Sequence, residues 1–106
     1  MYAQLTYFDR PRNPEQLAAA DFATEERIKP AVAAVRGTIK TYVLRRPDGS
    51  EVVVTIAETE QALIDTQKAI MSSALLPGED VALLPGADRV EIYPVLEVFD
   101  HDGARS

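Results

Sequence analysis

A predicted β-hairpin in the middle of the chain constrains the fold more than any other feature. Two runs rich in β-branched and apolar residues, 38–46 and 51–57, flank the tetrapeptide Pro47-Asp48-Gly49-Ser50. Proline fixes its own φ, aspartate can bond to the nearby backbone, and glycine tolerates a positive φ, so this tetrapeptide suits a tight turn. The sequence therefore predicts two antiparallel strands joined at this turn.

A strand and a helix are predicted before the hairpin. Residues 2–9 alternate as a strand does, with one side formed by Ala3, Leu5 and Tyr7 and the other by Gln4, Thr6 and Phe8. Asn13 and Pro14 then suit the N-cap and the first position of a helix. Pro30 should interrupt this helix with a kink or start a second short helix, and Gly37 should end it.

A second helix and a last strand follow the hairpin. Thr59 or Glu58 can cap a helix that runs to about Ser73. Residues 89–99 read as the last strand. Pro94 cannot donate a ladder hydrogen bond, so we expect this strand at a sheet edge or with a bulge.

The predicted order of elements is βαββαβ within a chain of 106 residues. This length fits one domain. We predict one α+β domain over residues 1–99, in which two helices cover a four-stranded antiparallel sheet as in the ferredoxin-like fold, and a polar C-terminal tail over residues 100–106.

A duplicated segment precedes the last strand. Residues 75–80 read Leu-Leu-Pro-Gly-Glu-Asp and residues 83–88 read Leu-Leu-Pro-Gly-Ala-Asp. One interpretation is two successive turns, each held by a buried leucine pair. The other is a lid over a binding site, since long connections often border such sites.

The junction between the second hairpin strand and its helix resembles the antibiotic-biosynthesis monooxygenase-like family. It reads Val53-Val54-Thr55-Ile56-Ala57-Glu58-Thr59-Glu60-Gln61-Ala62. The resemblance implies a dimeric α+β barrel, with a cavity between helices and sheet in each subunit. The family's Trp at this junction corresponds here to Ala57, its first-strand Asn has no counterpart among Leu5 and Tyr7, and the only histidine is His101 in the tail.

The composition of the chain limits the classes of partner and cofactor that it can bind. A formal net charge of −6 disfavours nucleic acid, and the absence of cysteine removes thiol chemistry and Cys-based metal sites. No apolar run approaches the length of a membrane span, and the N-terminus lacks a signal-peptide pattern, so a cytoplasmic location without membrane contact is expected. We expect no cofactor and no metal site, a small-molecule ligand and a homodimer.

Six residues are the candidates for a site in the cavity. Gln67 lies at the centre of the predicted apolar arc of the second helix, formed by Leu63, Ile64, Ile70, Met71 and Ala74, and should face the sheet. Tyr7, Gln67 and Asp21 are the predicted catalytic residues, and Asp21 could be a general base if an apolar wall raises its pKa. Tyr42, Met71 and Tyr93 are predicted to bind substrate. Structural roles for each remain an alternative.

Three functions are consistent with these residues. The first is a cofactor-independent, monooxygenase-like enzyme that acts on a small apolar or aromatic metabolite. The second is a non-catalytic dimeric module that binds a ligand or a partner, which Ala57 at the tryptophan position favours. The third is a cyclase or isomerase that needs only acid–base groups.

Overall fold

Strands and helices follow one another in the predicted order. The computed structural model describes residues 1–101. Its strands are β1 (Tyr2–Phe8), β2 (Thr38–Arg45), β3 (Glu51–Ala57) and β4 (Arg89–Pro94). Its helices are α1 (Pro14–Ala23), a π-helical turn (Thr24–Ile28), α2 (Lys29–Val32), α3 (Glu60–Ser72) and a 3₁₀ turn (Val81–Leu83).

The strands form one antiparallel sheet within residues 1–101, in the order β2-β3-β1-β4. This order is the ferredoxin-like arrangement, which confirms the predicted fold class. β4 lies at an edge, as Pro94 requires. The strand ends at Pro94 and not at Phe99, because proline offers no N–H to the ladder and only Val95 N continues it, donating to Met1 O at 2.8 Å.

The first helix is capped and interrupted as its sequence indicates. Asn13 accepts from Gln16 N at 2.8 Å while Gln16 Oε1 accepts from Asn13 N at 3.0 Å, a complete capping box. Before Pro30 the helix widens into the π-helical turn, in which Lys29 N donates to Thr24 O. Pro30 then lies in the first turn of α2, where its missing N–H breaks no bond.

Helix α3 begins at the predicted cap but packs a different face. Thr59 Oγ1 accepts from Ala62 N at 3.1 Å. Ala62 and Leu63 are buried against the sheet, whereas Gln67 is exposed and Met71 is 74% exposed. The prediction that Gln67 faces the sheet is therefore wrong, because the packed face is centred one position earlier around the helix.

The apolar core of the described chain is small. Its fully buried apolar side chains are Ala23, Ala57, Ala62 and Leu63, and only Leu63 is large. The chain exposes 7309 Å², compared with roughly 5,800 Å² for a compact monomer of this mass. Much apolar surface therefore stays accessible, including the sheet face turned away from the helices.

The duplicated segment forms turns held by acidic side chains, while its leucines are exposed or half-buried. Glu79 N donates to Leu76 O in the first copy, and Asp80 Oδ1 caps the 3₁₀ turn. Glu79 also binds Arg27 of the π-helical turn, with Oε2 at 2.8 Å from Nε. The predicted turns are present, but the prediction that buried leucine pairs hold them is wrong.

Gly49 in the hairpin turn provides a test of the fold. Its φ is +90°, and an added Cβ would lie 2.6 Å from Arg12 O. We expect Gly49→Ala to cost about 1–2 kcal/mol for the left-handed backbone and more for the clash. Gly78 has φ +93° with open space around it, so Gly78→Ala isolates the backbone cost. Urea unfolding that ranks the two variants equally would contradict the Arg12 contact.

Candidate functional site

The two faces of the sheet carry different kinds of side chain. Tyr2 packs against the buried cluster of Ala57, Ala62 and Leu63, so the side chain of Tyr2 marks the face that the helices cover. Because side chains alternate along a strand, Gln4 also lies on this helix side. The centre of the helix side of β1 is thus polar, between Tyr2 and Phe8 at its two ends.

A strip of polar side chains crosses the helix side of the sheet. The strand registers place Gln4 opposite Thr55, and Thr55 opposite Thr41, with Thr6 next along β1. Gln4 Nε2 donates to Thr6 Oγ1 at 3.4 Å, and the hydroxyls of Thr41 and Thr55 lie 3.4 Å apart. We call Gln4, Thr6, Thr41 and Thr55 the polar floor.

The helices leave the polar floor partly open. In a sealed helix–sheet core, the central strand residues would have almost no accessible surface. Here Gln4 and Thr6 are only half-buried, although β1 is a central strand. On the flanking strands Val43 is 53% and Val90 is 49% exposed. The helix side of the sheet therefore keeps accessible surface along the polar floor, and we call this surface the cleft.

The two ends of this cleft differ in chemistry. One end is the apolar cluster around Ala57. The other is an ion cluster, in which Arg12 pairs with Glu51 at 2.9 Å and their side chains are 9% and 7% exposed. Arg45 joins Glu51 to Asp21 of α1. Two arginines face two carboxylates, so the cluster is neutral overall.

Asp21 belongs to this ion cluster and is unsuited to the predicted role. Its Oδ1 accepts from Arg45 Nη2 at 2.7 Å, and its side chain is 61% exposed. The hydrogen bond from Arg45 holds the pKa of Asp21 below its ordinary value. The expectation of a raised pKa is therefore wrong: Asp21 is a charged partner of Arg45 and a poor proton acceptor.

The predicted tyrosines lie on the opposite face of the sheet. Tyr7 pairs with Arg89 across β1 and β4, and the Arg89 guanidinium sits 3.7 Å from the centre of the Tyr7 ring. Tyr42 and Tyr93 lie on this same open face and are 47% and 51% exposed. Burial, followed by the negative charge of Glu91, raises the pKa of Tyr7, so its hydroxyl stays protonated.

The six predicted residues thus do not share one cavity. Tyr7, Tyr42 and Tyr93 lie on the open face of the sheet, while Asp21 lies on α1, on the covered side. Gln67 and Met71 lie on exposed positions of α3. The sequence did not single out the polar floor; the predicted hairpin strands contain Thr41 and Thr55, and the structure pairs these two residues.

Two pockets open at the hairpin end of the sheet. One has a volume of about 340 Å³ and reaches the open face beside Tyr7, Arg46 and Arg89. The other, of about 290 Å³, lies between Phe8, Arg12 and the second copy of the duplicated segment. That segment therefore borders a pocket, and its role as a lid stays a prediction.

A buried ion pair fastens the first copy of the duplicated segment. Arg27 donates to Glu79 and, through Nη1, to Ser73 Oγ at 2.8 Å. Glu79 Oε2 also accepts from Leu76 N at 2.8 Å, and the Glu79 side chain is 1% exposed. The hydrogen bond from Arg27 lowers the pKa of Glu79. This clamp attaches residues 73–79 to the π-helical turn.

Residues 1–101 contain no group of three or more His, Cys, Asp or Glu side chains placed to hold a metal ion. In the same range, no helix has both the length and the apolar character of a membrane span.

Two solved structures share this fold. A proposed antibiotic biosynthesis monooxygenase from Nitrosomonas europaea superposes with a TM-score of 0.63 at 13% identity, over 92% of this chain and all of that chain. A monooxygenase from the gene ActVA-Orf6 of Streptomyces coelicolor, bound to nanaomycin D, superposes with a TM-score of 0.59 at 19% identity, covering 94% and 92%. No family model and no curated protein matches the sequence.

The Glu79 clamp predicts a pH dependence of stability. Because the pKa of Glu79 is lowered on folding, its contribution is complete above the ordinary value of 4.5 and disappears as the pH falls through the folded value. We expect Glu79→Gln to lower the urea midpoint at pH 7, with the difference from wild type shrinking toward pH 3. Glu25 in the exposed pair with Lys29 provides the control Glu25→Gln. A difference independent of pH would contradict the ion pair.

Proposed function

The chain has the fold of antibiotic biosynthesis monooxygenases, and from this fold and the cleft we propose its function. We propose that it is a small homodimeric, monooxygenase-like enzyme that needs no cofactor and acts on a small apolar or aromatic metabolite in the cleft between helices and sheet. The polar floor carries this proposal, because it groups four neighbouring hydrogen-bonding side chains on the helix side, of which Gln4 and Thr6 are half-buried, Thr41 is exposed and Thr55 is buried.

Gln4 is the residue best placed to orient such a ligand. Its single side-chain hydrogen bond within residues 1–101 is the long one to Thr6. The second N–H of the Gln4 amide and its carbonyl oxygen can therefore still form hydrogen bonds with a ligand. A polar group that a ligand covers loses its water and needs a hydrogen-bond partner in exchange, which a polar atom of the ligand can supply. A ligand oxygen can accept from Gln4 Nε2, while the ligand's apolar body lies against Val43 and Val53.

The proposed reaction needs no external reductant. An activated CH₂ group loses a proton, and the resulting carbanion passes its electrons to O₂ to form a hydroperoxide after protonation. Loss of water from this hydroperoxide leaves a C=O group, so one oxygen atom enters the product and the other leaves as water. Gln4 would stabilise the enolate oxygen of the anion through a charge-assisted hydrogen bond.

The open face of the sheet supports the proposed homodimer. Its apolar side chains come from all four strands: Ala3, Leu5, Tyr42, Leu44, Val52, Val54, Ile56 and Tyr93. An antiparallel sheet that is apolar on its uncovered face needs a second cover. A second copy supplies the same face and can pack sheet against sheet.

A non-catalytic binding module is the second candidate. Ala57 stands where the resembling family carries a tryptophan, and it is fully buried against Ala62 and Leu63. The Ala57 side chain therefore does not reach the cleft.

Oxygen consumption distinguishes the candidate functions: an enzyme consumes O₂ in step with an oxidisable phenol or enol, whereas a binding module binds the compound unchanged. Isomerisation without oxygen uptake would favour the third function, a cyclase or isomerase.

Ligand binding in the cleft is tested with nanaomycin D, the ligand bound in the Streptomyces coelicolor structure. We expect wild-type protein to bind it in calorimetric titration and Gln4→Leu to bind about fivefold to tenfold more weakly, since one hydrogen bond contributes about 1 kcal/mol. The matched control is Gln67→Ala, which changes an exposed amide on α3. A loss with Gln67→Ala and none with Gln4→Leu would move the site away from the polar floor.

The sheet-face dimer is tested with two adjacent residues of β2. Leu44 lies on the open face and is 50% exposed, while its neighbour Val43 faces the cleft and is 53% exposed. We expect Leu44→Asp to convert a dimer into a monomer in sedimentation velocity and Val43→Asp to leave the dimer intact. Equal effects of the two variants would exclude the open face as the interface.

A further inference from the structure

The pocket beside the second copy of the duplicated segment joins three distant parts of the chain. The end of β1, the connection from β1 to α1 and the segment before β4 all line it. Its volume of about 290 Å³ is close to the lower limit for sites that bind small molecules. One side of the pocket is apolar and is formed by the ring of Phe8 together with Pro11 and Pro85. Such a wall suits the flat body of an aromatic ligand.

The side-chain acceptors of this pocket are already in use. Gln16 Oε1 accepts from Asn13 N at 3.0 Å, and Asp88 Oδ2 accepts from Asp9 N at 2.7 Å. Asp88 Oδ1 lies 3.4 Å from Arg10 Nε. The amide N–H groups of Gln16 and the Nη groups of Arg10, by contrast, form no hydrogen bond within residues 1–101. The pocket therefore offers unused donors to a ligand.

Arg12 is the buried donor of the pocket, since its side chain is 9% exposed. Its Nε donates to Gly49 O at 2.9 Å, and its enclosed Nη2 lies 2.9 Å from Glu51 Oε1 without a hydrogen bond of ordinary geometry. Its Nη1 forms no hydrogen bond within the described chain. The Arg12 Cζ lies 5.4 Å from the centre of the Phe8 ring. A ligand on the Phe8 ring is therefore within reach of this guanidinium group.

We propose that this pocket binds a small aromatic carboxylate, whose ring lies against Phe8 and whose oxygens accept from Arg10, Arg12 and Gln16. Arginine matches a carboxylate with parallel N–H donors. Two guanidinium groups and one carboxylate group, that of Asp88, line the pocket. The lining is therefore positive, although the whole chain has a formal net charge of −6.

This site is separate from the polar floor. Along β1, Gln4 and Phe8 are about 13 Å apart at roughly 3.3 Å per residue. A monocyclic acid on Phe8 does not span this distance, so it does not compete for the Gln4 amide. Binding of the acid and the reaction proposed for the cleft can therefore fail independently of each other.

The test is a titration of the whole chain with benzoate, followed by ¹H–¹⁵N NMR, with benzamide as the uncharged analogue. A ligand of this size should bind with a dissociation constant of about 1 mM. We expect benzoate to shift the backbone amides of Arg12 and Gly86, and benzamide to bind at least about fivefold more weakly, because it lacks a charged acceptor. Absent shifts at these amides, or equal affinity for the two compounds, would overturn the proposal.

Filling the pocket provides a second test. An added Cβ at Gly86 would meet no atom within 4 Å, and the φ of Gly86 is not positive, so Gly86→Phe should fold. We expect it to weaken benzoate binding at least about fivefold by occupying the space beside Phe8. The control Val81→Phe changes a residue of the same segment that is 68% exposed and does not line the pocket. Equal affinities of the two variants would contradict this location.

Removing one guanidinium group tests the charge. Arg10 is 71% exposed, so Arg10→Gln should leave the fold intact, which far-UV circular dichroism checks. We expect about threefold to tenfold weaker binding of benzoate, because a charge-assisted hydrogen bond is lost. Arg36→Gln removes the same charge outside the pocket lining. If both variants weaken binding equally, Arg10 does not contact the carboxylate and the proposed site is wrong.

Discussion

The alternation of side chains across the sheet is the constraint on which the rest of the structure depends. Because half-buried Tyr2 packs against Ala62 and Leu63 of α3, every second residue of β1 after it must also face the helices. Polar Gln4 and Thr6 thereby lie under cover, and apolar Leu5 lies on the open face. At the centre of β1 this reverses the usual arrangement, in which apolar side chains meet the helices, although Val43, Val53 and Ile92 on the same face are apolar.

Two consequences follow from this reversal. A polar surface under helices packs poorly against their apolar side chains, which agrees with the cleft above Gln4 and with the small number of buried apolar residues. The apolar surface on the other face has no cover within the described chain. The orientation of β1, which decides which of its residues face the helices, therefore accounts for both the proposed ligand site and the proposed dimer interface.

Ion pairs stabilise the places that the small core does not reach. The Arg12–Glu51 pair lies at the hairpin end of the sheet, and the Arg27–Glu79 pair attaches the connection before β4. Both pairs have low exposure, so removing one partner would leave a charge poorly compensated. Arg12 also donates from Nε to Gly49 O at 2.9 Å, which links the connection between β1 and α1 to the hairpin turn.

The sequence by itself determined the order of elements, the hairpin at Gly49, the caps at Asn13 and Thr59, and the edge position of the strand with Pro94. These features depend on residues close together in the chain, whose turn and capping chemistry is local. The tertiary structure alone decided which sheet face meets the helices, and hence that Gln4 and not Tyr7 lies in the cleft. It also decided which side of α3 is buried and that Arg45 lowers the pKa of Asp21. Such outcomes depend on the packing of distant segments, and side-chain periodicity identifies two faces without saying which one is covered.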